Sequence, residues 1–330
     1  MSYYEYNCQD DSILLPILKK KVFSVLHRYV PYGIPANFLT LVSILVVWSC
    51  FVYFVNVDSP NNIDILIAII VIITYVIFDH FDGLQAKLTS TGSPLGEILD
   101  HYSDVFNGSI IIYIFFRILQ IELEWLFFLA VWFNLIAFSI TYYEQCISNK
   151  LYFGKIGSLE GIILILIILC SLMTTQGKIF WTQYLILDYP VYFFLVLVLI
   201  IGVFYTALSC LKRLKFFPKT FLHFFLMGSL LCYFCINNQI SWYLSFLVIN
   251  LYSAEFILKS MKSHLLRLDY PKPDILIYIF IFFIFFDYFF DFDQEIIFLC
   301  YSCVLILKII WDLKKVFSEF SHYWVWWNHR

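Results

Sequence analysis

The sequence has little charge. Only 14% of its 330 residues are Asp, Glu, Lys or Arg, whereas 62% are hydrophobic. A soluble globular domain has about 25% charged and about 45–50% apolar residues. This scarcity excludes an ordinary soluble domain and predicts an all-α polytopic membrane protein. The net charge of −3 gives no indication of a nucleic-acid partner, and we expect none.

The nine cysteines lack the partners that metal or disulfide chemistry would need. Cys232/Cys235 and Cys300/Cys303 have C-x-x-C spacing, but no second Cys or His pair lies near either of them. We therefore interpret them as packing residues in apolar helices rather than as zinc ligands. No disulfide framework is implied. We also expect no cleavable signal peptide, because the first long apolar run starts too late and is too long.

Long apolar runs fill most of the sequence. Because a bilayer core of about 30 Å requires about 20 apolar residues as a helix, these runs predict about ten transmembrane helices. They fall near residues 38–56, 63–82, 96–118, 123–142, 160–176, 188–209, 219–236, 240–260, 273–290 and 294–312. The fifth boundary is ambiguous, since residues 179–187 could be an interfacial segment. Before the first run, residues 13–30 mix aliphatic side chains with lysines and an arginine, which is typical of an amphipathic interfacial helix.

The basic residues predict the orientation of these helices. With ten spans and a cytoplasmic N-terminus, all but three of the 21 lysines and arginines face the cytoplasm. The exceptions are Arg117, Lys178 and Lys308. The positive-inside rule therefore predicts that both termini are cytoplasmic. The tryptophans expected to anchor the chain at the inner interface are Trp324, Trp326 and Trp327.

Four aspartates stand out against this apolar background. Asp79 and Asp82 end the second predicted span, and Asp100 and Asp104 begin the third. Each spacing, i to i+3 and i to i+4, places two carboxylates on one helix face. Ionisable groups at membrane depth indicate function, and Mg²⁺ would resolve their repulsion because it prefers hard oxygen ligands. The alternative is an ion-pair and capping network at two helix ends.

The residues between the two aspartate pairs favour a phosphate-bearing ligand. Gly83 would let a nucleotide approach the backbone closely. Lys87, one turn further, could pair with a phosphate or with a ligand carboxylate. Gly92, Ser93 and Pro94 predict a cytoplasmic turn and the start of the next helix.

This segment resembles the signature of the CDP-alcohol phosphotransferase family, D-x2-D-G-x2-A-R-x8-G-x3-D-x3-D. The matching positions, at the full spacing, are Asp79, Asp82, Gly83, Ala86, Gly96, Asp100 and Asp104. Lys87 stands where the family has arginine, so the charge is kept but the bidentate guanidinium is lost. The residues around the signature are similar to the choline and ethanolamine phosphotransferase branch. They are Ser93-Pro94-Leu95-Gly96-Glu97, Asp100-His101, Pro35-Ala36-Asn37 with Thr40, and Glu160-Gly161.

The resemblance implies the transfer of phosphoethanolamine or phosphocholine from CDP-ethanolamine or CDP-choline to diacylglycerol, with release of CMP. Asp79, Asp82 and Asp100 would hold Mg²⁺, with Mn²⁺ as an alternative, and the CDP pyrophosphate. Asp104 would complete the metal site, and it competes with His101 for the role of base towards the lipid hydroxyl.

The resemblance further implies substrate contacts from residues outside the aspartates. Asn37 would contact the nucleotide, with a polar cap of the first span as the alternative. Glu160 would contact a second metal or the amino-alcohol head, with a helix cap as the alternative. The remaining substrate-binding positions are Gly83, Ala86, Lys87 and Gly96.

The predicted organisation has three parts. An N-terminal interfacial helix lies in residues 1–36, a six-helix catalytic core in residues 37–210, and a four-helix membrane extension in residues 211–330. The protein would lie in the endoplasmic reticulum or Golgi membrane of a eukaryote, or in the inner membrane of a bacterium, with its active site facing the cytoplasm. Membrane lipids surround it, and a homodimer is left open.

Other functions stay open at this stage. The same fold could use another acceptor, such as ceramide, or CDP-diacylglycerol with a polar alcohol. A transporter with carboxylates near the membrane midplane is an alternative of another class. An inactive relative kept as a binding protein is a further one. The sequence does not choose between ethanolamine and choline.

Overall fold

The computed structural model describes residues 7–214, 218–237, 240–269, 271–272, 274–290 and 293–321, without the side chains of residues 287–290. The residues predicted as inner-interface anchors, Trp324, Trp326 and Trp327, lie outside the described residues, as do residues 1–6 of the predicted N-terminal part.

Helices occupy all ten predicted apolar runs within the described residues. They are α1 (Ala36–Val55), α2 (Asn62–Thr89), α3 (Pro94–Ile118), α4 (Trp125–Ser148), α5 (Ser158–Leu172), α6 (Thr175–Thr182), α7 (Val191–Leu214), α8 (Lys219–Asn237), α9 (Trp242–Leu265), α10 (Leu276–Phe290) and α11 (Gln294–Phe320). The strands are β1 (Cys8–Asp10), β2 (Leu151–Phe153), β3 (Leu185–Ile186) and β4 (Tyr189–Pro190).

Seven of the described helices are long and apolar enough to cross a membrane, and an eighth span results if α5 and α6 are counted as one broken helix. The two meet at an angle of 119°, so the predicted fifth span is sharply bent rather than continuous. Residues 185–190 then form a short antiparallel hairpin, β3–β4. The all-α polytopic membrane class is confirmed, whereas the count of ten spans and the location of the termini stay predictions.

The chain divides into two compact units. The first contains Met1–Glu122, Tyr152–Thr206 and Phe320–Arg330, and the second contains Leu123–Leu151 and Ala207–Glu319. Helix α4 therefore groups with the helices that follow residue 207. The predicted division into an N-terminal helix, a six-helix catalytic core and a four-helix extension stays a prediction.

In the first unit, α1 packs along both α2 and α3, and α2 also packs against α5. Fully buried aliphatic side chains such as Val47, Ile72 and Ile114 fill the interior of this unit. Helix α2 begins at a capping box in which the Asn61 side chain accepts from the Ile63 N–H and the Asp64 side chain accepts from the Asn61 N–H. Such a box satisfies backbone donors that a helix N-terminus otherwise leaves unpaired.

An N-terminal helical segment, residues 15–29, packs against α2 in the same unit. Phe23 is buried and stacks on His80 at 4.3 Å between ring centroids, and His27 meets Phe81 edge-on. Lys19, with the two lysines after it, is exposed. The predicted amphipathic helix thus exists as a helical segment, and its place in the membrane interface stays a prediction.

In the second unit, α4 packs against α8 and α9. The Trp132 ring lies 2.1 Å from where a Cβ on Gly228 would be, so only glycine allows this approach of α4 and α8. Arg213 binds Glu144 through two hydrogen bonds of 2.6 and 2.7 Å. Helix α9 is the most enclosed of the candidate spans among the described residues, with 89% of its apolar window buried.

Candidate active site

The turn between α2 and α3 brings the two aspartate pairs together. Helix α2 continues through Gly83 and ends at Thr89. Its C-cap, Ser90, adopts a left-handed conformation (φ 56°) that turns the chain out of the helix. Helix α3 starts at the N-cap Ser93, whose Oγ accepts from the Gly96 N–H at 3.0 Å, with Pro94 in its first turn. The predicted start of the helix at Ser93 and Pro94 is confirmed, and the cytoplasmic location of the turn stays a prediction.

The four aspartates form one cluster. The carboxyl group of Asp79 lies within hydrogen-bonding reach of Asp100 and Asp104. Asp82 is close enough to Asp100 and Asp104 to interact with both electrostatically. Ligand atoms of Asp100, His101 and Asp104 all lie within 4.8 Å of one another. Two same-face pairs from separate helices therefore converge on a single site.

Basic side chains of the described residues do not compensate this cluster. No lysine or arginine among them forms an ion pair with any of the four aspartates; the ring nitrogens of His80 and His101, which carry charge only when protonated, lie 3.5 and 3.3 Å from Asp79 and Asp100. Asp82 is only 6% exposed, so water screens it poorly. Four carboxylates crowded in this way repel one another unless a cation or protons intervene. Their oxygen donor set fits Mg²⁺ or Mn²⁺.

Two hydroxyl groups outside the predicted site residues each hold one of the aspartates in place. The Oγ1 of Thr40, on α1, donates to Oδ2 of Asp82 at 2.6 Å. The hydroxyl of Tyr75 donates to Oδ1 of Asp104 at 2.8 Å. Tyr75 lies four residues before Asp79 on α2, so the i to i+4 spacing was a signal that could have revealed it. Thr40 belongs to the Pro35–Thr40 motif, which marked it without assigning its partner.

Asn37 and Gly96 lie against each other. Asn37 is buried, and a Cβ on Gly96 would come within 3.0 Å of its Oδ1 and within 3.2 Å of the Ser93 Oγ. A Cβ at position 96 would therefore be tightly packed against these two side chains at the start of α1 and of α3. The structure places the start of α1 beside the first turn of α3, and a contact of Asn37 with the nucleotide stays a prediction.

Gln85 fixes the chain that leads into α1. Its side chain is fully buried, and its Nε2 reaches the carbonyl oxygens of Pro31, Tyr32 and Ile34 at 3.1, 3.3 and 2.7 Å. The site helix α2 thus holds the loop before Asn37 and Thr40. Gln85 occupies an unspecified position of the signature, which is why the motif alone gave no reason to select it.

His101 faces the cluster from the adjacent position on α3. Its Nδ1 is 3.3 Å from Oδ2 of Asp100, and the residue is 9% exposed. Its ring nitrogens lie close enough to the aspartate ligand atoms to take part in chemistry at the same site. The geometry leaves both Asp104 and His101 as candidates for the base.

The other signature residues, Gly83, Ala86 and Lys87, differ in how exposed they are. Gly83 is exposed, and a Cβ there would meet nothing within 4 Å. Ala86 is half-buried one turn further along. Lys87 is exposed and forms no ion pair with the described residues. Gly83 thus has open space beside it and Lys87 is an exposed cation, and the role of all three positions in substrate binding stays a prediction.

Glu160 is engaged by backbone and N-terminal groups. It accepts from the Gly157 N–H at 2.8 Å in a capping box, from the Ser12 Oγ at 2.5 Å and from the Leu14 N–H at 3.2 Å. The capping alternative is therefore present in the structure. A contact between Glu160 and a metal or head group stays a prediction, and it would compete with these bonds.

The model of the CDP-alcohol phosphatidyltransferase family matches residues 34–189. This range includes α1, α2, α3 and all four aspartates. Residues 34–189 therefore match a CDP-alcohol phosphatidyltransferase domain, and the family predicted from the signature is confirmed for this part of the chain.

Curated relatives with similar sequences come from several eukaryotes. The chain is 28% identical over 188 residues to an uncharacterised CDP-alcohol phosphatidyltransferase class-I family protein of Schizosaccharomyces pombe (54% of this chain, 48% of the relative). It is 25% identical over 189 residues to choline/ethanolaminephosphotransferase 1 of Saccharomyces cerevisiae (55% and 48%). It is 27% identical over 191 residues to cholinephosphotransferase 1 of Mus musculus (54% and 46%). The matched region spans about half the length of these relatives.

Proposed function

We propose that this protein is an integral-membrane phosphotransferase that moves phosphoethanolamine or phosphocholine from a CDP-alcohol to diacylglycerol, giving a phospholipid and CMP. The observation that carries the proposal is a cluster of four aspartates, without a lysine or arginine partner among the described residues, inside a CDP-alcohol phosphatidyltransferase domain. The names of the yeast and mouse relatives support an amino alcohol as the transferred group.

The aspartates are the residues that would hold the metal. Asp79, Asp82, Asp100 and Asp104 supply hard oxygen donors from two helix faces, and Thr40 and Tyr75 each orient one of them. Mg²⁺, or Mn²⁺, at this site would supply positive charge that stabilises the transferring phosphoryl group and the leaving CMP. Lys87, exposed beside the cluster, would add positive charge towards the diphosphate.

The chemical step requires a base for the acceptor hydroxyl. The oxygen of the diacylglycerol hydroxyl forms a bond to the phosphorus that carries the amino alcohol, and the bond from that phosphorus to CMP breaks. The hydroxyl proton passes to a carboxylate oxygen of Asp104 or to a ring nitrogen of His101.

The test is a product assay with purified protein in lipid nanodiscs. CDP-ethanolamine, CDP-choline and CDP-diacylglycerol are each supplied with candidate acceptors, and CMP and lipid products are measured by mass spectrometry. We expect phosphatidylethanolamine or phosphatidylcholine from diacylglycerol. A product only from ceramide, or only from CDP-diacylglycerol with a polar alcohol, would replace the proposed substrates within the same family. No CMP from any donor would overturn the enzyme assignment.

Matched variants connect the activity with the cluster. Asp100→Asn should abolish CMP release, because it removes a charged ligand from the site. Asp58→Asn changes an exposed aspartate of the α1–α2 loop and should leave the activity unchanged. Equal activity in the two variants would show that the cluster does not carry the reaction.

A further inference from the structure

A second candidate site lies entirely within the second unit, between α9 and α11. It is a cavity of about 540 Å³ lined by Lys259 and Lys262 of α9 and by Lys308, Trp311 and Lys315 of α11. Small-molecule sites in proteins have volumes of about 300–1,000 Å³. The cavity is thus large enough for a ligand head group, and the proposed reaction gives it no role.

The lysines on this wall are held in place by carboxylates. Lys308 Nζ is 2.7 Å from both Glu255 and Asp274. Lys259 also binds Glu255, at 2.6 Å, and Lys262 binds Asp312 at 2.6 Å. Each ammonium group has three donors, and these contacts use one or two of them. The pairing therefore fixes the ammonium groups at the cavity and leaves further donors for an anionic ligand.

Lys315 completes the positive wall. It forms no ion pair with any residue that the structure describes, and its Nζ lies 5.3 Å from the centroid of the Trp311 ring. Four lysines line the cavity, whereas the carboxylates in contact with them are three, Glu255, Asp274 and Asp312. The surplus is one positive charge, and Lys315 carries it in a solvent-accessible position.

The cavity opens beside an apolar helix face. Leu307, which also lines it, is 67% exposed, and Trp311 is 60% exposed. An exposed leucine and tryptophan on a helix long enough to cross a membrane indicate contact with lipid. A ligand that fits both surfaces has an anionic head and apolar chains. Basic pockets between transmembrane helices are known to bind lipid head groups in this manner.

We infer that this cavity binds the phosphate ester of a membrane phospholipid, with the acyl chains lying along α11. The phosphate oxygens accept from the lysine ammonium groups, and Trp311 packs against the glycerol region. The site is separate from the aspartate cluster in its residues and charge, so the inference does not depend on the proposed reaction.

Native mass spectrometry of the full chain in detergent measures the binding directly. The protein is titrated with dioleoyl phosphatidic acid and, in parallel, with a galactosyl diacylglycerol that has the same chains and no phosphate. Lys315→Gln removes the unpaired cation of the wall. Because hydrogen bonds to charged groups are the strong ones, we expect phosphatidic acid to bind at least about 10-fold more weakly to this variant.

Lys314→Gln is the matched control, since Lys314 is the exposed neighbour on α11 that does not line the cavity. We expect it to bind phosphatidic acid within about twofold of the parent protein. Equal affinities of the two variants, or equal binding of phosphatidic acid and the galactolipid, would overturn the inference. Displacement of the lipid by inorganic phosphate at the same concentration would show that the acyl chains contribute nothing and would overturn the lipid assignment.

Discussion

The hydrogen bond from Thr40 to Asp82 gives the sharpest test of how the site is organised. Thr40 is 2% exposed and its Oγ1 lies 2.6 Å from Oδ2 of Asp82, which is itself buried. Thr40→Val keeps the shape of the side chain and removes only the donor. A hydrogen bond to a charged group contributes about 1.5–3 kcal/mol, which corresponds to roughly 10- to 150-fold in an equilibrium constant.

This loss should appear in the affinity for the metal. Groups that orient metal ligands typically change metal affinity or activity by about 10- to 100-fold when they are removed. We therefore expect Thr40→Val to raise the Mg²⁺ concentration at half-maximal CMP release by at least about 10-fold. The assay measures CMP release from the CDP-alcohol across a Mg²⁺ titration.

Two control variants separate this effect from a loss of packing. Thr40→Ser keeps the hydroxyl and should keep the Mg²⁺ dependence of the parent protein. Ser43→Ala removes a hydroxyl that is also buried on α1 but donates to the Thr40 carbonyl oxygen at 2.8 Å, and it should leave the Mg²⁺ dependence unchanged. A Thr40→Val protein with the parent Mg²⁺ dependence would refute the argument that this bond prepares Asp82 for the metal.

Three further predictions concern the neighbouring residues. Tyr75→Phe removes the hydroxyl that donates to Asp104 and should lower kcat by about 10-fold. The thermal unfolding temperature in detergent should stay near that of the parent protein. An unchanged kcat would show that Tyr75 does not position Asp104. Gly96→Ala places a Cβ 3.0 Å from the Asn37 Oδ1 and should raise KM for the CDP-alcohol. The control Gly92→Ala places a Cβ that meets nothing within 4 Å and should leave KM unchanged. Equal KM values for the two variants would exclude a contact between Asn37 and the CDP-alcohol. Glu160→Gln weakens the hydrogen bonds to Ser12 and Leu14 and should speed tryptic cleavage at Lys19–Lys21. The control is Glu319→Gln, which changes an exposed residue of α11. Equal cleavage rates would show that Glu160 does not hold the N-terminal segment in place.

Hydropathy was sufficient to locate the helices, because lipid-facing and core-facing residues of a membrane protein are both apolar. It could not locate the bend between α5 and α6, since the bend changes direction without changing composition. It also could not say that α4 packs with α8 and α9, because packing partners depend on surface shape, such as the contact of Trp132 with Gly228.

The aspartate cluster was predictable because chemistry restricts it to few residue types at fixed helical spacings. The residues that position it were harder to predict. Thr40, Tyr75 and Gln85 act through a single hydrogen-bonding group each, and many other polar residues in the chain could have done so. Glu160 was predicted either to contact a ligand or to cap a helix; the structure shows the cap, and the ligand contact stays a prediction.

The central claim is that the four aspartates together bind a divalent cation. Electron paramagnetic resonance with Mn²⁺ measures this without any assumption about the substrate. We predict that the parent protein and the Asp58→Asn control bind Mn²⁺ and that the Asp79→Asn/Asp100→Asn variant does not. Equal Mn²⁺ binding by all three proteins, or no binding by the parent, would contradict the account.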